Sequence, residues 1–260
     1  MLRHTTSPSK GQLAGLVLPN SLRRFTKTRD WESATLGSLG YETFLKDHGV
    51  TPYSPVDLRT GRALNRETQF LAALSFAMHG IPADASIRVA DLGGGPGHYH
   101  AVARAAFPRQ ALDWNIVETP TVAALHSKQS HPSDVTWHSE LPAVTSAPID
   151  FVLASAYLNY IEHPYEQLQL LAGASRYIFV TRLPLWPIHV DTPAIQKTGP
   201  LRRKGNYPTW FFSEAKFLEF AGSLGSVVMK FEVREDAAFM EGQYLPYTGL
   251  LLRMHEEQGT

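Results

Sequence analysis

The sequence predicts an α/β protein built on a mostly parallel sheet, and three observations lead to this prediction. After Pro82, short apolar runs alternate with helical stretches, which is typical of strand-helix-strand units. The run at 149–154 is largely apolar, as strands buried on both faces are. A chain of 260 residues with 43% hydrophobic and 18% charged positions has enough apolar material for one large core.

The first third of the chain divides into two parts. Residues 1–29 mix Ser, Thr, Pro, Gly and basic residues without a sustained period, so we expect a flexible N-terminal arm. Residues 30–82 are expected to form an N-terminal helical cap. Asp30 is placed as an N-cap before Trp31, and apolar residues at helical spacing predict a stronger helix at 64–78.

Residues 83–260 are expected to form the main domain. Its apolar runs predict five strands, at 87–92, 112–117, 135–138, 149–154 and 177–181, and a C-terminal hairpin from the runs at 227–233 and 249–254. The segment 182–212 is rich in Pro, aromatic and charged residues. It is too long for an idle connection, so we interpret it as a functional insertion.

Composition and charge narrow the function classes. Lys+Arg and Asp+Glu both number 24, and this balance gives no overall field that would attract nucleic acid or an anionic membrane. The absence of cysteine excludes disulfides, thiolate zinc sites and a cysteine nucleophile. No apolar run approaches the roughly 20 residues of a membrane span, so we expect a soluble cytoplasmic protein.

A glycine-rich loop follows the first predicted strand and precedes a helix. It reads Asp-Leu-Gly-Gly-Gly-Pro-Gly, with its glycines at Gly93, Gly94, Gly95 and Gly97. Glycine permits positive φ and lets a ligand approach the backbone closely. The free N–H groups of the following helix favour a carboxylate or phosphate, and Asp91 at the loop entrance is expected to hold a positively charged amino group.

A second acidic residue is placed to serve the same ligand. Glu118 stands 21 residues after Gly97, at the end of the next predicted strand, where a carboxylate can accept both hydroxyls of a ribose. The dinucleotide pattern Gly-x-Gly-x-x-Gly fails, because His98 occupies the position of its third glycine. The loop and Glu118 together indicate a site for an adenosine group; the alternative is a plain turn beside a surface glutamate.

On the motif Asp-x-Gly-x-Gly-x-Gly followed by Glu118, the chain resembles class I S-adenosylmethionine-dependent methyltransferases. More narrowly, it resembles a bacterial methyltransferase family with a Tyr-Pro-x-Trp-x-Phe-Ser-Glu segment. Further matches, over roughly 31–254, are Trp31, Gly40-Tyr41, the strand at 114–118, the stretch at 154–160, Arg182-Leu183-Pro184, Gln196 and the segment at 207–214. The chain departs from the family at Pro96, where a small residue is frequent.

The resemblance implies a Rossmann-like sheet of seven strands in the order 3-2-1-4-5-7-6, with helices on both faces, and S-adenosylmethionine as the cofactor. In such open sheets the ligand lies at the switch point, here between the first and fourth strands. The fourth strand ends at Ser155, which we assign to the cofactor. Asn159 and Tyr160 follow and are candidates to bind or activate an acceptor, although Tyr160 is equally well explained as a packing residue.

Methyl transfer to a polar group requires alignment and the removal of one proton. His189 is the first candidate for a general base, with Asp191 orienting it or acting directly. The alternative is that both are surface loop residues. No third ligand stands at a suitable spacing from this pair, so no metal site is expected.

The insertion also supplies candidates for acceptor binding. Arg182, followed by the basic run at 202–204, is expected to recognise an anionic acceptor, unless the run is a solvated loop face. Tyr207 and Trp210 are expected to form a wall for a ring, unless they anchor a lid to the core. Gln196 is assigned to the acceptor by the resemblance.

These observations predict an enzyme that transfers a methyl group from S-adenosylmethionine to a hydroxyl on a polar small molecule or glycan precursor. N-methylation is the nearest alternative. A nucleotide-binding oxidoreductase and a methyltransferase-like binding module without catalysis are the alternatives from other classes.

Overall fold

The computed structural model of the protein describes residues 24–41, 45, 51–58, 65–82, 84–197, 206–240 and 243–255. Over these ranges the chain forms a sheet with helices packed on both faces, and the centre of the sheet is parallel. The prediction of a mixed α/β fold with a largely parallel central sheet is therefore confirmed.

Five parallel strands form the centre of the sheet in the order β4-β3-β2-β5-β6. They are β2 (Ile87–Leu92), β3 (Leu112–Val117), β4 (Val135–His138), β5 (Ile149–Ser155) and β6 (Ser175–Leu183). Because β3 and β4 lie on one side of β2 while β5 lies on the other, the strand order reverses beside β2. A crevice at the carboxyl ends of β2 and β5 is where such sheets bind ligands.

The sheet continues past β6 with six more strands. These are β10 (Gly225–Met240) and β11 (Gln243–Met254), which form an antiparallel hairpin, and β1 (Arg24–Lys27), β7 (Leu185–Trp186), β8 (Thr192–Lys197) and β9 (Asn206–Ser213). The full order is β4-β3-β2-β5-β6-β11-β10-β1-β8-β9-β7, so the predicted count of seven strands is wrong for the described residues.

The four added strands have a physical explanation. The long β10 presents an open edge, β1 covers that edge, and β8 pairs in turn with the outer edge of β1. The segment predicted as an insertion is rich in residues that favour strands, such as Ile195, Trp210 and Phe211. It therefore forms sheet at both ends, while 198–205 lies outside the described residues. Of the predicted arm, 24–27 is strand β1, and 1–23 lies outside the described residues.

Seven described helices flank the sheet. They are α1 (Trp31–Leu36), α2 (Asn65–Met78), α3 (His98–Ala106), α4 (Pro120–His126), α5 (Pro142–Thr145), α6 (Pro164–Ala172) and α7 (Glu214–Leu224). Helices α2 and α3 bury Phe70 and Val102 on one face of the sheet, and α6 and α7 bury Leu168 and Phe217 on the other. None of the helices described is long and apolar enough to cross a bilayer.

The helical segment ahead of β2 is part of the main core. Phe70 of α2 is fully buried, and its ring lies 6.2 Å from that of Trp114 and 6.3 Å from that of Phe151. Helix α1 begins as expected, since the Asp30 carboxylate accepts a hydrogen bond of 2.8 Å from Ser33 N. The Phe70 contacts attach α2 to the parallel centre of the sheet.

Candidate functional site

A cavity of about 860 Å³ lies at the carboxyl ends of the central strands. Its volume is within the range of small-molecule sites. Its loop wall is formed by Gly93, Val117, Glu118, Thr119 and Ser155. Its outer wall, facing this one, is formed by Ser38, Tyr41, Tyr160, Gln196 and Tyr207. The cavity therefore lies between the parallel centre of the sheet and the strands added at its far edge.

The glycine loop adopts a backbone that requires glycine. Gly93, Gly95 and Gly97 have φ values of 66°, 54° and 82°, in the left-handed region that other residues rarely enter. A Cβ at Gly93 would lie 3.0 Å from the Tyr157 ring, and a Cβ at Gly94 would lie 2.5 Å from Asp91 Oδ2. The loop consequently presents bare backbone to the cavity and packs tightly on the residues beneath it.

Asp91 lies under this loop and not on the cavity wall, which differs from its predicted position against a ligand. Its side chain is fully buried, and its Oδ2 accepts a hydrogen bond of 3.2 Å from Trp114 Nε1. Its Oδ1 is buried without a hydrogen-bond partner. Burial raises the pKa of Asp91 to about 7, an effect that the Trp114 hydrogen bond opposes and the charge of Glu118 increases.

Glu118 lies on the loop wall, where the sequence predicted it. Its Oε1 accepts a hydrogen bond of 3.0 Å from Gly95 N, and its Oε2 accepts one of 3.0 Å from Thr119 N. A carboxylate offers about four acceptor positions. The same side chain thus fixes the loop and faces the cavity.

Ser155 also lies on the loop wall, at the end of β5. Its Oγ is 3.1 Å from Tyr99 Oη, which ties the strand to the first turn of α3. Trp137 supports the loop from outside, because its Nε1 donates a 2.9 Å hydrogen bond to Gly95 O.

The outer wall brings together residues that are distant in sequence. Tyr160 Oη donates a 2.8 Å hydrogen bond to Oε1 of Gln196, which is buried. The Tyr207 ring lies 6.4 Å from that of Tyr160 and 6.2 Å from that of Tyr41. Burial is the main cause of the raised pKa of Tyr207, and electrostatic interactions with Tyr41 and Tyr160 raise it further. The Tyr207 phenol therefore stays protonated at neutral pH. This wall offers aromatic faces and neutral hydrogen-bonding groups.

Two predicted acceptor residues do not line the cavity. Asn159 is buried, and its Nδ2 donates a 3.1 Å hydrogen bond to Thr209 Oγ1. Trp210 stacks on Trp31 at 5.1 Å with 10° between the planes, and its Nε1 donates to Ile161 O at 3.1 Å. Asn159 thus holds β9. Trp210 attaches β9 to α1, in agreement with the alternative that this residue is an anchor.

The structure also places the two predicted bases away from the cavity lining. His189 is exposed on the loop between β7 and β8. The Asp191 carboxylate accepts hydrogen bonds from Tyr165 Oη at 3.0 Å, Ser213 N at 2.8 Å and Lys216 Nζ at 2.5 Å. We call this group the Asp191 clamp; it fixes the start of α7. The described residues contain no group of three or more His, Asp or Glu side chains that could hold a metal ion.

Some cavity residues were not predicted. The N-terminal stretch contributes Thr35, Ser38, Leu39 and Tyr41 to the lining. Gly40-Tyr41 was noted only as a match to a family, and the signal that could have marked it is Gly40, whose φ of 75° is in the left-handed region. The basic run at 202–204 lies outside the described residues, whereas Arg182 lies on the cavity lining.

A scan against protein-family models finds no match, and neither does a comparison with curated proteins. Among solved structures, the chain is similar to the N-terminal domain of EvdMO1 with SAH bound, at 13% identity and a TM-score of 0.46, covering 74% of this chain and 82% of that chain. It is also similar to the N-methyltransferase NodS from Bradyrhizobium japonicum in complex with SAH, at 10% identity and 0.43, covering 74% and 86%.

A third likeness is to LepI in complex with SAM, at 13% identity and a TM-score of 0.47, covering 79% of this chain. This chain spans 50% of the LepI chain. All three TM-scores are below 0.5, so these likenesses carry no conclusion about function.

Proposed function

We propose that the protein is an S-adenosylmethionine-dependent methyltransferase of class I. The observation that carries this proposal is that the left-handed glycine loop and the Glu118 carboxylate lie on the same wall of one cavity, at the strand-order reversal. The order β4-β3-β2-β5-β6-β11-β10 supports the proposal, because numbering these strands along the domain gives the order 3-2-1-4-5-7-6.

The loop wall fits the donor. Side chains at Gly93 and Gly94 would collide with neighbouring atoms, so the loop is built as bare backbone that a ligand can approach. Glu118 would accept hydrogen bonds from the ribose hydroxyls, and Ser155 would lie at the amino-acid end. When bound, S-adenosylmethionine supplies a methyl group that its sulfonium has already activated.

The outer wall fits a polar acceptor. Tyr160, Gln196 and Tyr207 would bind and orient a neutral polar molecule through hydrogen bonds and ring faces. We propose O-methylation of a polar small molecule or glycan precursor, and N-methylation is the alternative at the same wall. Catalysis would then consist mainly of alignment, with Tyr160 as the polar group best placed at the acceptor.

A binding module without catalysis is the second candidate. The observation that favours it is that neither His189 nor Asp191 lines the cavity, which leaves the predicted base pair out of the site. The two candidates differ in turnover alone. Formation of S-adenosylhomocysteine from S-adenosylmethionine with a pool of hydroxylated metabolites supports the enzyme, and its absence despite cofactor binding supports the module.

Calorimetry tests the donor. We expect binding of S-adenosylmethionine and S-adenosylhomocysteine and no comparable binding of NAD, because the third dinucleotide glycine is replaced by His98. A preference for NAD would favour an oxidoreductase. Binding of none of the three would overturn the proposal.

A further inference from the structure

Two residues other than glycine have left-handed backbone among the described residues, and they are neighbours on the cavity. Ala156 has φ 52° and Arg182 has φ 58°. Both line the cavity, and Ala156 N donates a 2.9 Å hydrogen bond to Thr181 O, directly before Arg182. Such a conformation is unfavourable for residues other than glycine and persists only where surrounding structure enforces it. Strain of this kind concentrates at functional sites.

Arg182 also lies at an irregularity of the sheet. Val180 of β6 pairs with Leu250 of β11, and Leu183 pairs with Thr248. Between these pairs β6 advances by three residues while β11 advances by two. One extra residue in a strand is a β-bulge, and bulges beside active sites redirect a side chain. The bulge and the left-handed φ together turn Arg182 out of the regular alternation of β6 and into the cavity lining.

The charge of Arg182 acts at the loop end of the cavity. Ser155 pairs with Thr181 in the register of β5 and β6, so Arg182 comes next to the end of β5 that bears Ser155. Burial raises the pKa of Tyr99, and the Ser155 hydrogen bond opposes that rise, as do the positive charges of Arg182 and Arg66. Tyr99 lies in the first turn of α3 and is hydrogen bonded to Ser155. Arg182 therefore acts beside the glycine loop and the amino terminus of α3, where an anionic group is also favoured by the helix.

We propose that Arg182 is a donor-recognition residue whose guanidinium binds the carboxylate of the methionine moiety. This inference rests on the proposed function and reassigns Arg182, which the sequence had suggested for an anionic acceptor. A guanidinium can bind a carboxylate through two parallel hydrogen bonds, a geometry that an ammonium cannot reproduce. The strained backbone is thereby explained as the means of aiming this group at the amino-acid end of the donor.

Calorimetry with a ligand that lacks only the carboxylate tests the proposal. Wild-type protein and Arg182→Met are titrated with S-adenosylhomocysteine and with its decarboxylated analogue S-adenosyl-3-thiopropylamine. We expect Arg182→Met to lose at least about tenfold in affinity for S-adenosylhomocysteine and to bind the analogue as the wild type does. The matched control is Arg176→Met, on the same strand but far from the cavity, which should bind both ligands normally.

A second variant separates a loss of binding from a loss of folding. Arg182→Gly places the residue type that prefers this φ at the strained position, so its unfolding temperature should be no lower than that of the wild type. It should lose the same factor in affinity for S-adenosylhomocysteine. Full affinity in either folded variant, or an equal loss for both ligands, would overturn the role of Arg182. If the wild type binds neither ligand, the proposed function itself fails, which is a distinguishable result.

Discussion

Two regions of the molecule hold an aspartate with a largely or fully buried side chain, the floor of the glycine loop and the start of α7. The Asp191 side chain is 9% exposed and receives hydrogen bonds from Tyr165, Ser213 and Lys216. Asp91 is completely buried, receives one hydrogen bond from Trp114, and has an Oδ1 with no partner. One carboxylate is surrounded by donors and the other is left largely unsatisfied.

The difference separates a region that only supports a helix from the region that we propose binds the donor. Buried polar groups are normally paired, and an unpaired one indicates strain or an unmet partner. Asp191 stabilises the start of α7, which packs on β9, and its neighbours supply the hydrogen-bond donors that its carboxylate needs. Asp91 lies beneath the glycine loop that we propose binds the donor, and its burial without a second partner is unfavourable. Opposite effects of substitution at the two positions are therefore expected.

The largest effect is expected for the pH dependence of stability at Asp91. Its pKa in the folded protein is raised to about 7 from the usual 3.8, so the folded state retains a proton that the unfolded chain has released. The resulting stability is fully present below pH 3.8 and is lost as the pH rises to about 7. The loss approaches about 1.4 kcal/mol per pH unit, on the order of 4 kcal/mol in total.

Asp91→Asn should abolish this loss, because an amide does not ionise. Urea unfolding between about pH 4.5 and 7.5 measures it as the difference between wild type and variant. His100 has a pKa lowered to about 4 by burial and by Arg104, so it contributes the opposite slope, but it is present in both proteins and cancels. If the difference in unfolding free energy between wild type and variant stays constant with pH, the pKa of Asp91 is not raised by burial.

Substitution at the Asp191 clamp is expected to act in the opposite direction. Asp191→Ala should lower the free energy of unfolding by about 3 kcal/mol, since hydrogen bonds to a partly buried carboxylate are lost. Asp191→Asn, which keeps an acceptor for Ser213 N, should lose less, and His189→Ala should change nothing. All three should bind S-adenosylhomocysteine as the wild type does. A loss of S-adenosylhomocysteine affinity without a loss of stability would show that Asp191 acts in ligand binding and not only in fixing α7.

The sequence predicted the loop side of the cavity well because its signals are local. The strands at 87–92, 112–117 and 135–138 occur where apolar runs placed them, as β2, β3 and β4. The loop between β2 and α3 needs glycine for reasons that involve its own backbone. Glu118 follows from the position of a strand end. Each of these features depends on neighbours in the chain.

The outer wall was predicted only in part. Tyr160, Gln196 and Tyr207 were candidates and lie on it, but Ser38 and Tyr41 join them only through the added strands. Tyr41 reaches Tyr207 because α1 lies beside β8 and β9, and β1 covers the edge of β10. Nothing in the sequence around Asp191 distinguishes a base from a helix clamp, since the deciding partner Tyr165 stands 26 residues earlier. Pairing between distant segments, not residue type, determines which polar groups face the cavity.

Affinity for the donor tests the loop wall directly. Glu118→Ala should weaken S-adenosylhomocysteine binding by at least roughly tenfold, about 1.4 kcal/mol, because it removes the ribose acceptor and the bond to Gly95 N. Calorimetry measures the change, and Glu219→Ala, an exposed glutamate on α7, is the matched control. Unchanged affinity in a folded Glu118→Ala variant would refute the ribose role.

The smallest effect is expected at the stack behind the outer wall. Trp31 lies parallel to Trp210 at 5.1 Å, and this contact attaches α1 to β9. Trp31→Leu should remove the ring interaction, worth about 1 kcal/mol beyond apolar burial, while Trp31→Phe should retain most of it. Because neither Trp31 nor Trp210 lines the cavity, S-adenosylhomocysteine affinity should stay within about twofold of wild type in both variants. A loss as large as that of Glu118→Ala would mean that the two walls bind the donor together.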